Sequence, residues 1–215
     1  MSHGALLAHT AAGKRSMTLD PTHPAAREVV RQLVKSADIV VANLPAAGLA
    51  ALGIDWESLR TIRSDIILVA ASAFGLEGPD AARPGFDGIG QAVSGALWFS
   101  GELGRPAKAA APYVDFATAL LGAMGALAAL MHRARTGEGQ QVEAALARTA
   151  MAAFGVFLGE AAAGAPPRMP SGNRVQTSAP SDVFAARDGH VLVHVVGDGL
   201  FRRLARLVGR PEWLE

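Results

Sequence analysis

Two apolar runs of strand length, ADIVVAN (37–43) and DIILVAAS (65–72), constrain most strongly what this chain can fold into. A strand without a polar face has no side to offer water and needs cover on both sides, which is the arrangement of a parallel sheet with helices packed on its two faces. The neighbouring residues can supply that cover. PAAREVVRQLVK (24–35) puts Val29, Val30, Leu33 and Val34 on one helical face, and Asp55 is suited to cap a helix over WESLRTIR. SMTLD (16–20) alternates like a further short strand before PTHPAA breaks it, and LPAAG (44–48) reads as a turn. Strand and helix alternating at this spacing predict an α/β fold with parallel strands.

Downstream, AFGLEGPDAARPGFDG (73–88) is a long Gly/Pro loop, of a length usually tied to function or mobility in a compact domain. IGQAVSGALWF predicts one short helix, and residues 101–114 an open connection. A long helix is expected from about Asp115 to Arg135, stopping at Gly137, and residues 140–163 read as a strand followed by a helix. GAPPRMPSGNR (164–174) has linker composition. SDVFAARDGHVLVHVV then predicts a β-hairpin turning at Asp188-Gly189, followed by an amphipathic helix over GLFRRLARLVGRP. A hairpin and one helix make a poor core of their own, so these elements either pack on the preceding part or belong to something larger.

Composition narrows the functional classes. The 215 residues carry 20 basic and 19 acidic side chains, with the positive charges scattered rather than striped, so no nucleic-acid surface is expected. There is no cysteine, which excludes disulfides, thiolate zinc sites and a cysteine nucleophile and fits a reducing compartment. MSHGALLAHTAAGKR lacks the apolar core of a signal peptide. The apolar run after Asp115 is short for a membrane span and rich in Ala and Gly. The expectation is a cytoplasmic protein without a membrane partner.

Three familiar motifs fail on inspection. GFDGIGQAVSG has Val93 where a dinucleotide fingerprint needs glycine, and AAGKRS has Ala8 where a P-loop needs its first glycine. His190 and His194 share a strand face, but no acidic ligand aligns with them, and no metal is expected. Asp115 resists dismissal. It heads sixteen residues, 116–131, that carry no charge. Aspartate is a preferred N-cap, favoured there by the helix dipole. The same placement keeps a carboxylate ionised in a pocket, and an ionised carboxylate can attack an activated acyl group. Capping and nucleophilic catalysis are compatible, so both readings stand.

Beyond these local patterns, the segment from GKRSMTLD to GQAVSG (13–95) resembles the family III CoA-transferases of the CaiB/BaiF type, the superfamily that includes formyl-CoA transferase and 2-methylacyl-CoA racemase. The family pattern has Lys-Arg-Ser before a strand, a strand ending in Glu-Asn-Phe, a Gly-Pro loop, and Tyr-Asp followed by Gln-Ala. Here these fall on Lys14-Arg15-Ser16, Ala42-Asn43-Leu44, Gly78-Pro79, and Phe86-Asp87 with Gln91-Ala92. The likeness continues through PYVDFATALLGAMGALAALMHRARTGEGQQVEAAL (112–146), SGNR (171–174) and DVFAARDGHVLVHV (182–195).

The resemblance implies a Rossmann-like large domain with parallel strands and helices, followed by the beginning of a smaller α+β domain. On that organisation residues 1–163 are part of the CoA-binding large domain, 164–178 the linker, and 179–215 the start of the small domain. It implies an acyl-CoA and a carboxylic acid as substrates, coenzyme A as the group moved, and Asp115 as the nucleophile, passing through an aspartyl-acyl anhydride and an aspartyl-CoA thioester. The adenine-side contacts fall on Leu19, Asp20, Pro21 and Thr22. The strand-end contacts fall on Asn43, Leu44 and Pro45, and the pantetheine side on Pro84, Gly85, Phe86 and Asp87. Read without the family, Asn43 and Pro45 make a turn and Phe86 is core. Ala42, Leu44 and Ala51 depart from the family's Glu, Phe and phosphate-binding Arg, with Lys14, Arg15 and Arg83 as substitute cations. Members are longer at both ends and form interlocked homodimers, so the chain is expected to be truncated at both ends. Two alternatives follow: a 2-methylacyl-CoA racemase, whose His-Asp pair is Phe86-Asp87 here and lacks the imidazole, or a non-catalytic CoA-binding module.

Overall fold

The computed structural model describes residues 4–214. In chain order the elements are α1 (Gly4–Thr10), α2 (Ala26–Ser36), β1 (Ile39–Ala42), α3 (Ala46–Leu52), α4 (Trp56–Ile62), β2 (Ile67–Ser72), α5 (Asp87–Val93), α6 (Ala96–Ser100) and α7 (Tyr113–Thr136). After these come β3 (Gln141–Ala145), α8 (Leu146–Ala153), α9 (Gly155–Ala162), β4 (Ser181–Ala186), β5 (Gly189–His194), α10 (Asp198–Leu207) and a 3-10 turn (Pro211–Leu214). Strands β1, β2 and β3 form a parallel sheet in that order, with Val41 opposite Val69 and Val69 opposite Val142. The expected α/β class is therefore realised.

β2 is the central strand, and Ile67–Ala70 are buried on both of its faces. Leu68 and Ala70 pack with Val34, Leu49 and Leu59 from α2, α3 and α4. Ile67 and Val69 face the opposite way, onto Ala126 and Ala129 of α7. The sheet is thus sandwiched between helices, as its apolar strands require. β1 is different: it is an edge strand, and Val41 is 73% exposed, so the ADIVVAN run is buried on one face only.

Several expectations need correction. SMTLD forms no strand; residues 14–20 belong to no β-ladder, and Met17 is exposed. A strand needs a ladder partner, and alternation alone provides none. LPAAG is not a simple turn, because Pro45 is the N-cap of α3, which closes at Gly53 in the left-handed region (φ 67°). IGQAVSGALWF is two helices, broken at Gly95 (φ 84°). The hairpin pairs Ala186 with Gly189, so Arg187-Asp188 is the turn and Gly189 already belongs to β5. On α2, Val29 and Leu33 are exposed while Val34 is buried.

The long helix α7 has 24 residues and a mean hydropathy of 1.8 over 18 of them, long and apolar enough to cross a membrane by length and composition. The expectation that this run is too short is therefore corrected. In the fold, Val114, Thr118, Gly122, Ala126 and Ala129 are its buried face, and the helix lies against β2 and β3. Small side chains at these positions let the helix axis approach the sheet closely.

At the start of the strands, Arg63 donates to Asp65 (Nε–Oδ1 2.7 Å) and Asp38, and Arg133 from the end of α7 reaches the same two acids. This clamp closes the N-terminal end of the sheet. The opposite end is open.

Candidate active site

In parallel sheets, ligands bind beyond the carboxyl ends of the strands, where loops diverge and backbone groups are unpaired. Asn43 directly follows β1, Ser72 ends β2 and Leu146 directly follows β3, and these residues line one cavity of about 510 Å³. The remaining wall is Ala71, Ala73, Gly85, Phe86, Asp115, Thr118 and Ala119. A second cavity of about 170 Å³ shares Asn43, residues 71–73, Gly85 and Phe86, and adds Leu44, Pro45, Ala81, Arg83 and Pro84. The two spaces form one branched cleft, with Asp115 in the larger arm.

The structure therefore brings together Asn43, Leu44, Pro45, Pro84, Gly85, Phe86 and Asp115. It leaves Leu19, Asp20, Pro21 and Thr22 outside both cavities, in an exposed turn where Asp20 Oδ1 accepts from the Thr22 amide (2.9 Å) and hydroxyl (2.7 Å). Those two donors hold the Asp20 carboxyl below its ordinary range. Asp87 also lines neither cavity; it is 5% exposed, and its carboxylate faces inward.

Phe86 corrects the plain reading that made it core. It is 79% exposed at the cleft rim, immediately before α5. An exposed aromatic ring next to a polar cleft is a ready surface for an apolar ligand segment. Gly85 beside it has a steric role. A Cβ there would stand 2.8 Å from Ala73 Cβ, so only glycine lets the loop close onto the end of β2. Arg83 carries the cation of the smaller arm, with Asp80 at 2.8 Å and its guanidinium over the Phe74 ring.

Asp115 does not cap its helix. α7 begins two residues earlier, at Tyr113, and the cap comes from Asp87, whose Oδ1 accepts from the amides of Val114 (2.8 Å) and Asp115 (3.3 Å). The Asp115 carboxylate is thereby released from local service and opens into the cleft. It is solvent-accessible, yet surrounding protein raises its pKa, first by partial desolvation and then through the Asp87 charge. The Asp87 backbone N–H and Lys108 pull the other way. A carboxylate made more basic in this manner is a better nucleophile in its ionised form.

The sequence reading missed Ala71, Ser72, Ala73, Thr118, Ala119 and Leu146. The strand-end rule would have found four of them, since they follow directly from where β2 and β3 stop. Among the described residues, no group of three or more His, Asp or Glu side chains converges to hold a metal.

Comparison with known proteins places this geometry. Residues 2–215 match the family model for CoA-transferase family III. The succinate–glutarate CoA-transferase of Agrobacterium fabrum is 36% identical over 199 residues, covering 92% of this chain and 50% of that protein. The succinyl-CoA:mesaconate CoA-transferase of Haloarcula hispanica is 35% identical over 207 residues, covering 93% of this chain and 52% of the relative. A CaiB/BaiF family protein from Brucella suis, known as a crystal structure, superposes with a TM-score of 0.80 at 34% identity, over 93% of this chain and 53% of its own. The chain thus spans about half the length of the relatives it matches.

Proposed function

The chain belongs to CoA-transferase family III, and on that premise we propose that it moves coenzyme A from an acyl-CoA donor to a carboxylic acid, with Asp115 as the nucleophile. The observation that carries this reading is the Asp115 carboxylate, freed from capping and opening into a cleft at the carboxyl end of the sheet.

In the proposed reaction an Asp115 oxygen attacks the thioester carbonyl carbon. The C–S bond breaks, CoA leaves as thiolate, and an aspartyl-acyl anhydride remains. The thiolate then attacks the aspartyl carbonyl, giving an aspartyl-CoA thioester and releasing the donor acid as its carboxylate. The acceptor carboxylate attacks that thioester and forms a second anhydride. The returning thiolate takes the acceptor acyl group and frees Asp115. Charge is conserved at each step, and no proton need be transferred. Water would hydrolyse both kinds of intermediate, so exclusion of solvent by bound CoA is part of the scheme.

Asn43, Leu44 and Pro45 on one side and Pro84, Gly85 and Phe86 on the other would flank the pantetheine arm, with Leu19–Thr22 toward the adenine. Dicarboxylates are the proposed substrate class, because both sequence relatives described above are named for four- or five-carbon diacids. A homodimer is proposed for the working form. Its support is the outer face of α7, where Phe116, Leu120, Met124, Leu127 and Met131 are exposed on one stripe.

The test is intact-protein mass spectrometry after incubation with succinyl-CoA, with Asp115→Ala alongside. The expected result is a hydroxylamine-sensitive adduct on the wild type and none on the variant, with transfer reduced on the order of 10³-fold or more. CoA binding with no adduct and no transfer would instead identify a binding module.

A further inference from the structure

Asp87 is the one ionisable side chain in the buried set among the described residues. A buried carboxylate is costly unless its lone pairs are filled, and here they are filled in a particular direction. Oδ1 accepts the first free amides of α7, at Val114 and Asp115. Oδ2 accepts from Gln91 Nε2 (2.6 Å), with Lys108 Nζ at 3.8 Å. Gln91 is itself held, since its Oε1 accepts from the Ala109 amide (2.9 Å). Three segments, α5, the connection before α7 and α7 itself, therefore meet at one carboxylate. Close packing makes this possible: a Cβ on Gly90 would stand 2.7 Å from Val114 Cγ1.

We propose that Asp87 is the positioning residue of the reaction: it holds the first turn of α7 so that Asp115 points into the cleft, and it keeps a second negative charge against that nucleophile. This rests on the transferase reading for its consequence in the reaction, though not for its geometry. The raised Asp115 pKa agrees with it, Asp87 being the second cause after desolvation. Other groups do not mimic the effect. Lys108 opposes it, and Tyr113 on the same helix has its own phenol pushed up by burial and by Asp87. The remaining cavity wall, from the ends of β1 and β2, the 85–86 loop and the start of α8, presents no charged side chain. A carboxylate beside a like charge is harder to ionise but more nucleophilic once ionised. Asp87 would thus act on the rate of acyl capture rather than on CoA binding.

Two variants separate this role from a purely structural one. Asp87→Asn keeps an oxygen for the two amides and removes the charge, but sets one amide NH₂ against that of Gln91. Asp87→Asn combined with Gln91→Glu restores an acceptor to that contact, retains an acceptor for Ala109, and shifts the charge away from Asp115. The measurements are a ¹³C NMR titration of the Asp115 carboxyl, assigned with Asp115→Asn, and the succinyl-CoA dependence of adduct formation. In both variants Asp115 should titrate at lower pH than in wild type. The saturated rate should fall on the order of tenfold with half-saturation unchanged. The double variant should recover the thermal midpoint lost by Asp87→Asn without recovering the titration. A folded double variant whose Asp115 titrates as in wild type would overturn the proposal. Because the titration needs no substrate, it decides the positioning role even if wild type forms no adduct, a result that would count against the transferase reading alone.

Discussion

Phe86 and Asp115 line one cleft and were readable in different ways. Asp115 declared itself by chemistry, as a carboxylate at the head of an uncharged run. Phe86 became legible only through its likeness to a family motif, because an aromatic residue in isolation reads as core. The structure exposes it at the rim, where a pantetheine arm would cover it. Burying part of that ring against ligand is worth about 1–2 kcal/mol. Phe86→Ala should therefore raise half-saturation for acyl-CoA roughly tenfold and leave the saturated rate nearly unchanged, as initial-rate kinetics would record. Ala71 and Ala73 were illegible for a plainer reason: an alanine carries no chemical sign of being at a site, and only its place at a strand end marks it.

Among the elements, α4 and α7 show what local sequence can and cannot tell. α4 is capped from within: Asp55 accepts from the Ser58 amide (3.0 Å) and hydroxyl (2.6 Å), three residues away, and the sequence reading placed this cap correctly. α7 is capped by Asp87, 27 residues before Val114, and no window along the chain would reveal such a partner. That is why its start was placed two residues late. Asp55→Ala should cost about 1 kcal/mol at neutral pH. The Ser58 contacts lower the folded-state pKa of Asp55, so this stabilisation is full above the unfolded value of about 3.9 and is lost as pH falls through the folded value. Urea midpoints of wild type and variant should differ at pH 7 and converge in acid. SMTLD failed as a strand for the complementary reason, that a ladder is a property of two segments and periodicity belongs to one.

For the molecule as a whole, the parallel arrangement was legible from two apolar runs and the helices between them, whereas the exposure of β1 and α7 was not. Hydrophobic patterning gives the faces of an element but not what covers them. For the proposed homodimer, Leu120→Lys with Leu127→Lys is expected to leave a monomer by light scattering; a dimer unaffected by both changes would move the interface off α7. The cap on α7 has a consequence in time as well as in space. Synthesis delivers Asp87 before the helix it serves, and until the two meet Asp115 is an ordinary aspartate on a loose chain. On the proposed reading, the nucleophile is thus assembled by folding rather than carried in the polymer, so an unfinished chain among cellular thioesters would have little means of being acylated by mistake.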